Sequence, residues 1–258
     1  MSIKFILLGC GSSMGVPRAD GFKGKCDLRN KKNYRSRCSA LIKFSNENIL
    51  IDTSPDLRNQ LLSNKITSIS KVFYTHLHAD QTHGINDLRP FFLLKKKQIP
   101  VYADPTTTKY LFKTFGYFFK STSYYPSTLS LNKLKKKHIL KNKKQKIFIR
   151  TVTVEHGNIN SICYIIDNKL AYASDISLIY KKDLKFFKKL DYLVIDCLWY
   201  KNHYAHFNLD RVLELIKIIK PKKTILTNMH SDLDYNYLKK ILPKNIVPGF
   251  DGMSIILK

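Results

Sequence analysis

"THLHADQTHG", Thr75–Gly84, sets three histidines and one aspartate within ten residues. It overlaps the end of the apolar run "KVFYTH", Lys71–His76, which reads as a strand buried on both faces. The cluster therefore starts where a strand hands over to a loop. His76, His78 and Asp80 fall on alternate positions, and on an extended or turning backbone such residues point the same way. Imidazole nitrogen and carboxylate oxygen together suit Zn, Fe or Mn. A single histidine near a strand end is ordinarily a polar residue facing solvent, the reading that fits His138 and His203. The run His76–His78–Asp80 needs a stronger reason. Gln81 follows, where a second imidazole would be the more obvious donor.

The same habit recurs along the chain. Strands are expected at "IKFILLG" (Ile3–Gly9), "SALIKF" (Ser39–Phe44), "NILIDT" (Asn48–Thr53) and "IPVYA" (Ile99–Ala103). They resume at "KIFIRTVTVEH" (Lys146–His156), "SICYIID" (Ser161–Asp167), "LAYASD" (Leu170–Asp175), "YLVIDC" (Tyr192–Cys197) and "KTILTNMH" (Lys223–His230). Of eight histidines, His76, His78, His156 and His230 sit at or just beyond strand ends, as do Asp52 and Asp175. Sites are usually built where strand ends meet at one edge of a sheet. A carboxylate such as Asp175 suits the oxygen ligand that two metals must share.

A helix is predicted with Asp104 as N-cap, Pro105 first and Gly116 past its end. Another follows Asn208, with Leu209, Val212, Leu213, Ile216 and Ile219 at helical spacing and Pro221 as the stop. Tyr117–Lys146 is aromatic, then rich in Ser and Thr, then rich in Lys, and reads as a long excursion, a flap or lid beside the site. The first half is too rich in closely spaced strands for a plain doubly wound parallel sheet. The expected class is α/β (α+β by some schemes), two packed sheets with helices outside, as a single domain over residues 1–258.

Composition bounds the rest. At 258 residues and 44% hydrophobic, the chain can bury a full core and is not of disordered type. No apolar run approaches the ~20 residues of a membrane span, and Phe5–Leu8 is far short of the roughly 7–15 residues of a signal core. A cytoplasmic protein without membrane association is expected. The five cysteines are odd in number and widely spaced, with no CxxC pair, so no disulfide framework is expected; Cys163 and Cys197 read as core. Forty-five basic against nineteen acidic residues give a net charge of +26. Such a field attracts anions and nucleic acid. A bias toward Lys, Ile and Asn together would raise the charge equally well, so charge alone does not establish an RNA substrate.

"THLHADQTHG", followed in order by "EHG" (Glu155–Gly157), "SD" (Ser174–Asp175) and "NMH" (Asn228–His230), resembles the metallo-β-lactamase-fold hydrolases over nearly the whole chain. "LGCGSSMGVPR" (Leu8–Arg18), "IDTSPDLR" (Ile51–Arg58) and "GINDLR" (Gly84–Arg89) resemble the branch that contains the phosphoribosyl 1,2-cyclic phosphodiesterases. The resemblance implies a four-layer αββα sandwich and two divalent ions, Zn or Mn or else Fe. His76, His78 and His156 would bind the first ion. Asp80, position 81 and His230 would bind the second, and Asp175 would bridge. His206, in "YAHFNLD" (Tyr204–Asp210), falls where this branch has a histidine suited to protonating the leaving oxygen. Asp80 would also orient the nucleophile, and Asp52 would orient a ligand histidine from behind. A homodimer would be ordinary for this fold.

The family pattern has histidine at position 81, and here Gln81 leaves the second ion in question. Its amide oxygen would make an oxygen-rich site with Asp80, Asp175 and His230, leaning toward Mn or Fe. Alternatively His83 substitutes, or the second position is empty. The cyclic phosphodiesterases can carry an extra zinc on clustered cysteines. Here only Cys26 and Cys38 occupy that loop, too few for a four-ligand site. Arg18, Arg35 and Arg37 would hold a substrate phosphate or be solvated loop charges.

The leading expectation is a phosphodiesterase acting on a small, possibly cyclic phosphodiester through hydroxide generated on the metal. A nuclease acting on RNA or tRNA is the alternative, since the tRNA 3′-processing endonucleases share fold and signature, although no long Gly-rich arm is evident. Hydrolysis of a thioester or lactam, or a catalytically impaired metal-binding relative, completes the set.

Overall fold

Buried throughout except Lys4, the strand β1 (Ile3–Gly9) must lie inside a sheet, and it does, antiparallel to a neighbour on each side. The structure, a computed structural model, describes residues 3–141 and 146–257. The chain divides into two compact units: Met1–Gly9 with Ser39–Leu134 and Gly252–Lys258, and Cys10–Cys38 with Lys135–Asp251.

The first unit holds one seven-stranded sheet. Its strands are β1, β2 (Ser39–Phe44), β3 (Glu47–Ile51), β4 (Lys71–Phe73), β5 (Ile99–Ala103) and β6 (Leu129–Lys133) in sequential order, with β14 (Met253–Leu257) outside β1. From β3 to β6 all neighbours are parallel, so each connection must cross back over the sheet. Those crossings carry α1 (Leu57–Ser63), α2 (Ala79–Thr82), α3 (Arg89–Lys95) and α4 (Pro105–Phe115). Leu57 and Leu61 of α1 and Leu111 of α4 join Leu41, Leu50, Val72 and Val101 of the sheet in one core. Asp104 caps α4, accepting from the Thr106 and Thr107 amides at 3.1 and 3.2 Å.

The second unit holds the other sheet, in the order β13 (Ile246–Pro248), β12 (Lys223–Thr227), β11 (Tyr192–Asp196), β10 (Leu170–Ala173), β9 (Ile159–Ile166), β8 (Lys146–His156) and β7 (Lys137–Lys141). The half from β7 to β10 is an antiparallel meander, and β10 to β13 run parallel. Asn208 caps α5 (Leu209–Ile219) by accepting from the Arg211 amide at 3.1 Å. The helix ends at Lys220, which takes a left-handed turn immediately before Pro221. A last helix, α6 (Tyr235–Ile241), precedes β13.

The expected excursion over Tyr117–Lys146 is not a lid. It supplies β6 to one sheet and β7 to the other, and Phe118 and Leu129 are buried in the first unit's core. The lysine run disguised these strands because each is an edge, where one face and one row of backbone groups stay in water and charge is tolerated. Residues 142–145 of that stretch lie outside the described residues. The strand expected over Lys71–His76 pairs only to Phe73, for a reason that belongs to the site. Helices α1, α2, α3 and α6 span only four to seven residues, too short for a periodic signal. All five cysteines are buried free thiols. No helix among the described residues is long and apolar enough to cross a membrane.

Candidate metal centre

In the first unit the site begins where β4 leaves its sheet. Tyr74 still donates its amide to Tyr102 O of β5, at 2.9 Å. The next amide, Thr75 N, goes instead to the Asp52 carboxylate at 2.7 Å. That substitution of a side chain for a ladder partner ends the strand and turns the chain out of the sheet. Asp52 itself follows β3 in a left-handed conformation, φ 63°, fully buried, with its carboxylate toward Thr75.

The Thr75 hydroxyl donates to the other Asp52 oxygen at 2.9 Å and lies 3.0 Å from His76 Nδ1. Its one proton is committed to the carboxylate, so toward His76 it accepts. Nδ1 of His76 then carries the ring proton, and Nε2 keeps its lone pair. Asp52 thus reaches His76 through Thr75. His76 Nε2 stands 3.0 Å from His78 Nδ1, with the rings edge to face. Two imidazole nitrogens this close suit a shared cation at the 2.0–2.1 Å typical of Zn–N bonds.

His78 precedes the single turn of α2, which carries Asp80 and Gln81. Gln81 is fully buried, and its carbonyl accepts the Thr53 amide at 2.7 Å. Close packing of this turn on the Asp52–Ser54 loop demands Gly84, where a β-carbon would lie 2.0 Å from Ser54 O. His83 is exposed. Its Nε2 lies 2.8 Å from the Tyr110 hydroxyl, and its ring lies parallel to that of Tyr110 and edge to face with Phe115. That engagement turns the ring to α4.

In the second unit β10, β11 and β12 run parallel in close register, so their C-terminal ends coincide. Asp175, Asp196 and Asn228 all emerge there, each nearly or fully buried. Asn228, left-handed at φ 58°, donates its side-chain amide to Asp175 and Asp196, both at 3.2 Å. His206 Nδ1 lies 2.7 Å from Asp196 Oδ2, and the Ile176 amide donates to the same oxygen. Burial pushes the Asp196 carboxyl up to about 6, against the pull of His206.

His156 ends β8. Its Nδ1 lies 2.7 Å from the Ala205 carbonyl, which can only accept, so Nδ1 carries the proton and Nε2 is unprotonated. His156, Asp175 and His206 each offer a ligand atom within 4.8 Å of the others. His230 joins no such group among the described residues. The Asp232 amide donates to its Nδ1 at 3.2 Å, its ring lies against Trp199, and burial lowers its pKa.

The three arginines part company. Arg35 is buried and donates to Asn33 Oδ1 and the Leu233 carbonyl, so its guanidinium is committed to holding the Cys26–Leu233 loops together. Arg18 pairs with Asp20 on the surface. Arg37 makes contacts of its own. The expectation that Arg35 is free to take a phosphate is therefore corrected. Sequence reasoning passed over Asp196, Asn228 as a clamp, and Thr75. The signal for Asp196 was available: a lone aspartate closing an apolar run, as with Asp52 and Asp175.

The family model of the beta-lactamase superfamily domain matches residues 47–229, well over half of the chain. The chain belongs to this superfamily. A solved structure described as a new diphosphatase from the PhnP family is 28% identical, with TM-score 0.89, covering 100% of this chain and 98% of that one. The superfamily match and this likeness establish the expected αββα, metallo-β-lactamase-like fold class. Zn(2+)-bound PqqB from Methylobacterium extorquens shares the fold at 14% identity, TM-score 0.81, covering 98% of this chain and 100% of that one. An octanoyltransferase from Porphyromonas gingivalis (strain ATCC BAA-308 / W83) is 29% identical over 99% of this chain. The chain spans about half the length of that curated relative, 52%.

Proposed function

We propose that this chain is a metal-dependent hydrolase of a small phosphodiester. The observation that carries the reading is His206, 2.7 Å from Asp196 and grouped with His156 and Asp175. The donor chemistry fits divalent ions, because the hydrogen bonds at Nδ1 put the ring proton there and leave Nε2 of both His76 and His156 unprotonated. His76, His78 and His156 would hold one ion. Asp80, Gln81 and His230 would hold a second, with Asp175 between them. An amide oxygen at position 81 makes that second set oxygen-rich and favours Mn or Fe over Zn. A bound ion supplies Lewis acidity toward a phosphoryl oxygen and toward water.

The chain's own residues supply the rest. His206 is partly exposed, 15% of its side chain, so a substrate can reach it. With Nδ1 on Asp196, its Nε2 would give a proton to the departing alkoxide, and the buried carboxylate would stabilise the imidazolium that precedes that transfer. Asn228 holds the Asp175 and Asp196 carboxylates in fixed orientation. Asp52 and Thr75 fix the His76 ring. The name diphosphatase, carried by a relative alike over the whole chain, supports phosphorus–oxygen chemistry. The acyl-transfer name belongs to a protein nearly twice as long, and no residue of the present site argues for it.

The test is turnover of a p-nitrophenyl phosphodiester, an alkyl phosphodiester, a thioester and a β-lactam after loading with Mn, Fe or Zn. Metal-dependent hydrolysis of the phosphodiesters is expected. His206→Asn should lower kcat by about 10²–10⁴-fold for the alkyl leaving group and far less for p-nitrophenolate, which departs without a proton. Thioester turnover with inert phosphodiesters would overturn the reading.

A further inference from the structure

The strongest feature outside the candidate centre lies at the far end of β8. Antiparallel pairing sets Lys137 opposite Arg150, Ile139 opposite Phe148 and Lys141 opposite Lys146. All six side chains share the outward face of the β7–β8 pair, because Leu140, Ile147 and Ile149 are buried on the other. The face thus reads cation, apolar, cation on both strands. Like charges directly opposite one another destabilise a sheet. Lysine on an edge strand guards against aggregation, which accounts for β7. It does not account for Lys146 and Arg150 on β8, an interior strand, nor for the rings among them.

Those rings are specific. The Lys137 and Lys146 ammonium groups lie 4.1 and 5.7 Å from the Phe148 centroid. Arg150 and Lys185 lie 4.3 and 5.2 Å from that of Phe186. No ion pair among the described residues involves Lys137, Lys141, Lys146 or Arg150. Arg150 Nε is buried with no hydrogen-bond partner among the described residues. Neighbouring sequence offers no relief, since no acidic residue occurs between Asp104 and Glu155.

We infer that the outward face of β7–β8 is a docking surface for single-stranded nucleic acid. Same-face residues on a strand are about 6.8 Å apart, close to the phosphate spacing of an extended single strand. Flexible lysine stems swing their ammonium groups from the rings to the phosphates, and the uncovered Phe148 and Phe186 stack on bases. An anionic membrane would satisfy the charges but would not need two separate rings each under a cation. Phe148 is eight residues, about 27 Å along the strand, from His156. The surface is therefore distinct from the candidate metal centre, and it stands whether or not the small-diester reading does.

The test is fluorescence anisotropy of a labelled mixed-sequence RNA of about twelve nucleotides, in EDTA so that no cleavage enters. The triple variant Lys137→Gln/Lys146→Gln/Arg150→Gln should lower the slope of log affinity against log salt by about 2. Phe148→Leu, which keeps the charge, should weaken binding about tenfold. The comparison is Lys65→Gln/Lys95→Gln/Lys239→Gln, equal in charge change and exposed elsewhere, which should leave most of the affinity. Equal losses in both triples would reduce the effect to the general +26 field and overturn the proposal, as would binding of phosphatidylserine vesicles with none of RNA.

Discussion

Thr75→Val removes one oxygen at the point where Asp52 meets His76. The Thr75 hydroxyl gives a 2.9 Å bond to the Asp52 carboxylate and receives the His76 Nδ1 proton over 3.0 Å. Valine matches threonine in shape and leaves the backbone bond from residue 75 to Asp52 intact. Two losses follow. A hydrogen bond to a fully buried carboxylate contributes about 1.5–3 kcal/mol, so the metal-free protein should lose about 2 kcal/mol in urea denaturation. The His76 ring also loses the acceptor that fixes its tautomer. Loss of such an outer partner typically weakens metal binding 10–100-fold, which is about 1.4–2.8 kcal/mol. Metal titration by calorimetry reads that quantity without reference to turnover. Thr75→Ser keeps the oxygen and should bind metal within about threefold of the parent. A valine variant that titrates like the parent, or a serine variant as weak as valine, would refute the relay.

Three further outcomes are expected. Asp251 accepts from Ser36 N, Ser36 Oγ and Cys10 N, and burial raises its carboxyl to about 6. The folded state therefore holds this proton more tightly than the unfolded chain, and the group lowers stability as pH rises from about 4 to about 6. Asp251→Asn should gain on the parent by about 2 kcal/mol across that window once partial exposure is allowed for; a flat difference in paired urea melts would contradict it. Gln81→His should strengthen binding of a second ion, and unchanged titration curves would argue against ligation through position 81. Gly84→Ala forces a methyl onto Ser54 O and should cost at least about 2 kcal/mol, read as a lowered denaturation midpoint.

Much of this is legible in the sequence. The runs Ile3–Gly9, Ser39–Phe44, Ile99–Ala103 and Lys146–His156 coincide with strands because apolar length and turn residues bound them on both sides. Asp104, Pro105 and Asn208 marked helix starts by chemistry local to the cap. What escaped depended on partners distant in sequence. β4 stops short because an aspartate twenty-three residues earlier captures the Thr75 amide. The buried role of Arg35 is set by a carbonyl almost two hundred residues away. Lysine-rich β6 and β7 hid because charge is what an edge strand tolerates. The contact of His83 with Tyr110 comes from α4, twenty-seven residues on.

The bond between His156 and the Ala205 carbonyl carries one more consequence. Every amino acid owns the same carbonyl, and residue 205 is alanine already. Alanine scanning will therefore report this position as blank, although it sets which nitrogen of His156 stays unprotonated. Only a change to the main chain itself, such as an ester in place of the amide that follows Ala205, would weaken that acceptor and make its contribution visible. Half of the imidazole orientation inferred here is thus invisible to side-chain genetics, while the Thr75 half is fully exposed to it.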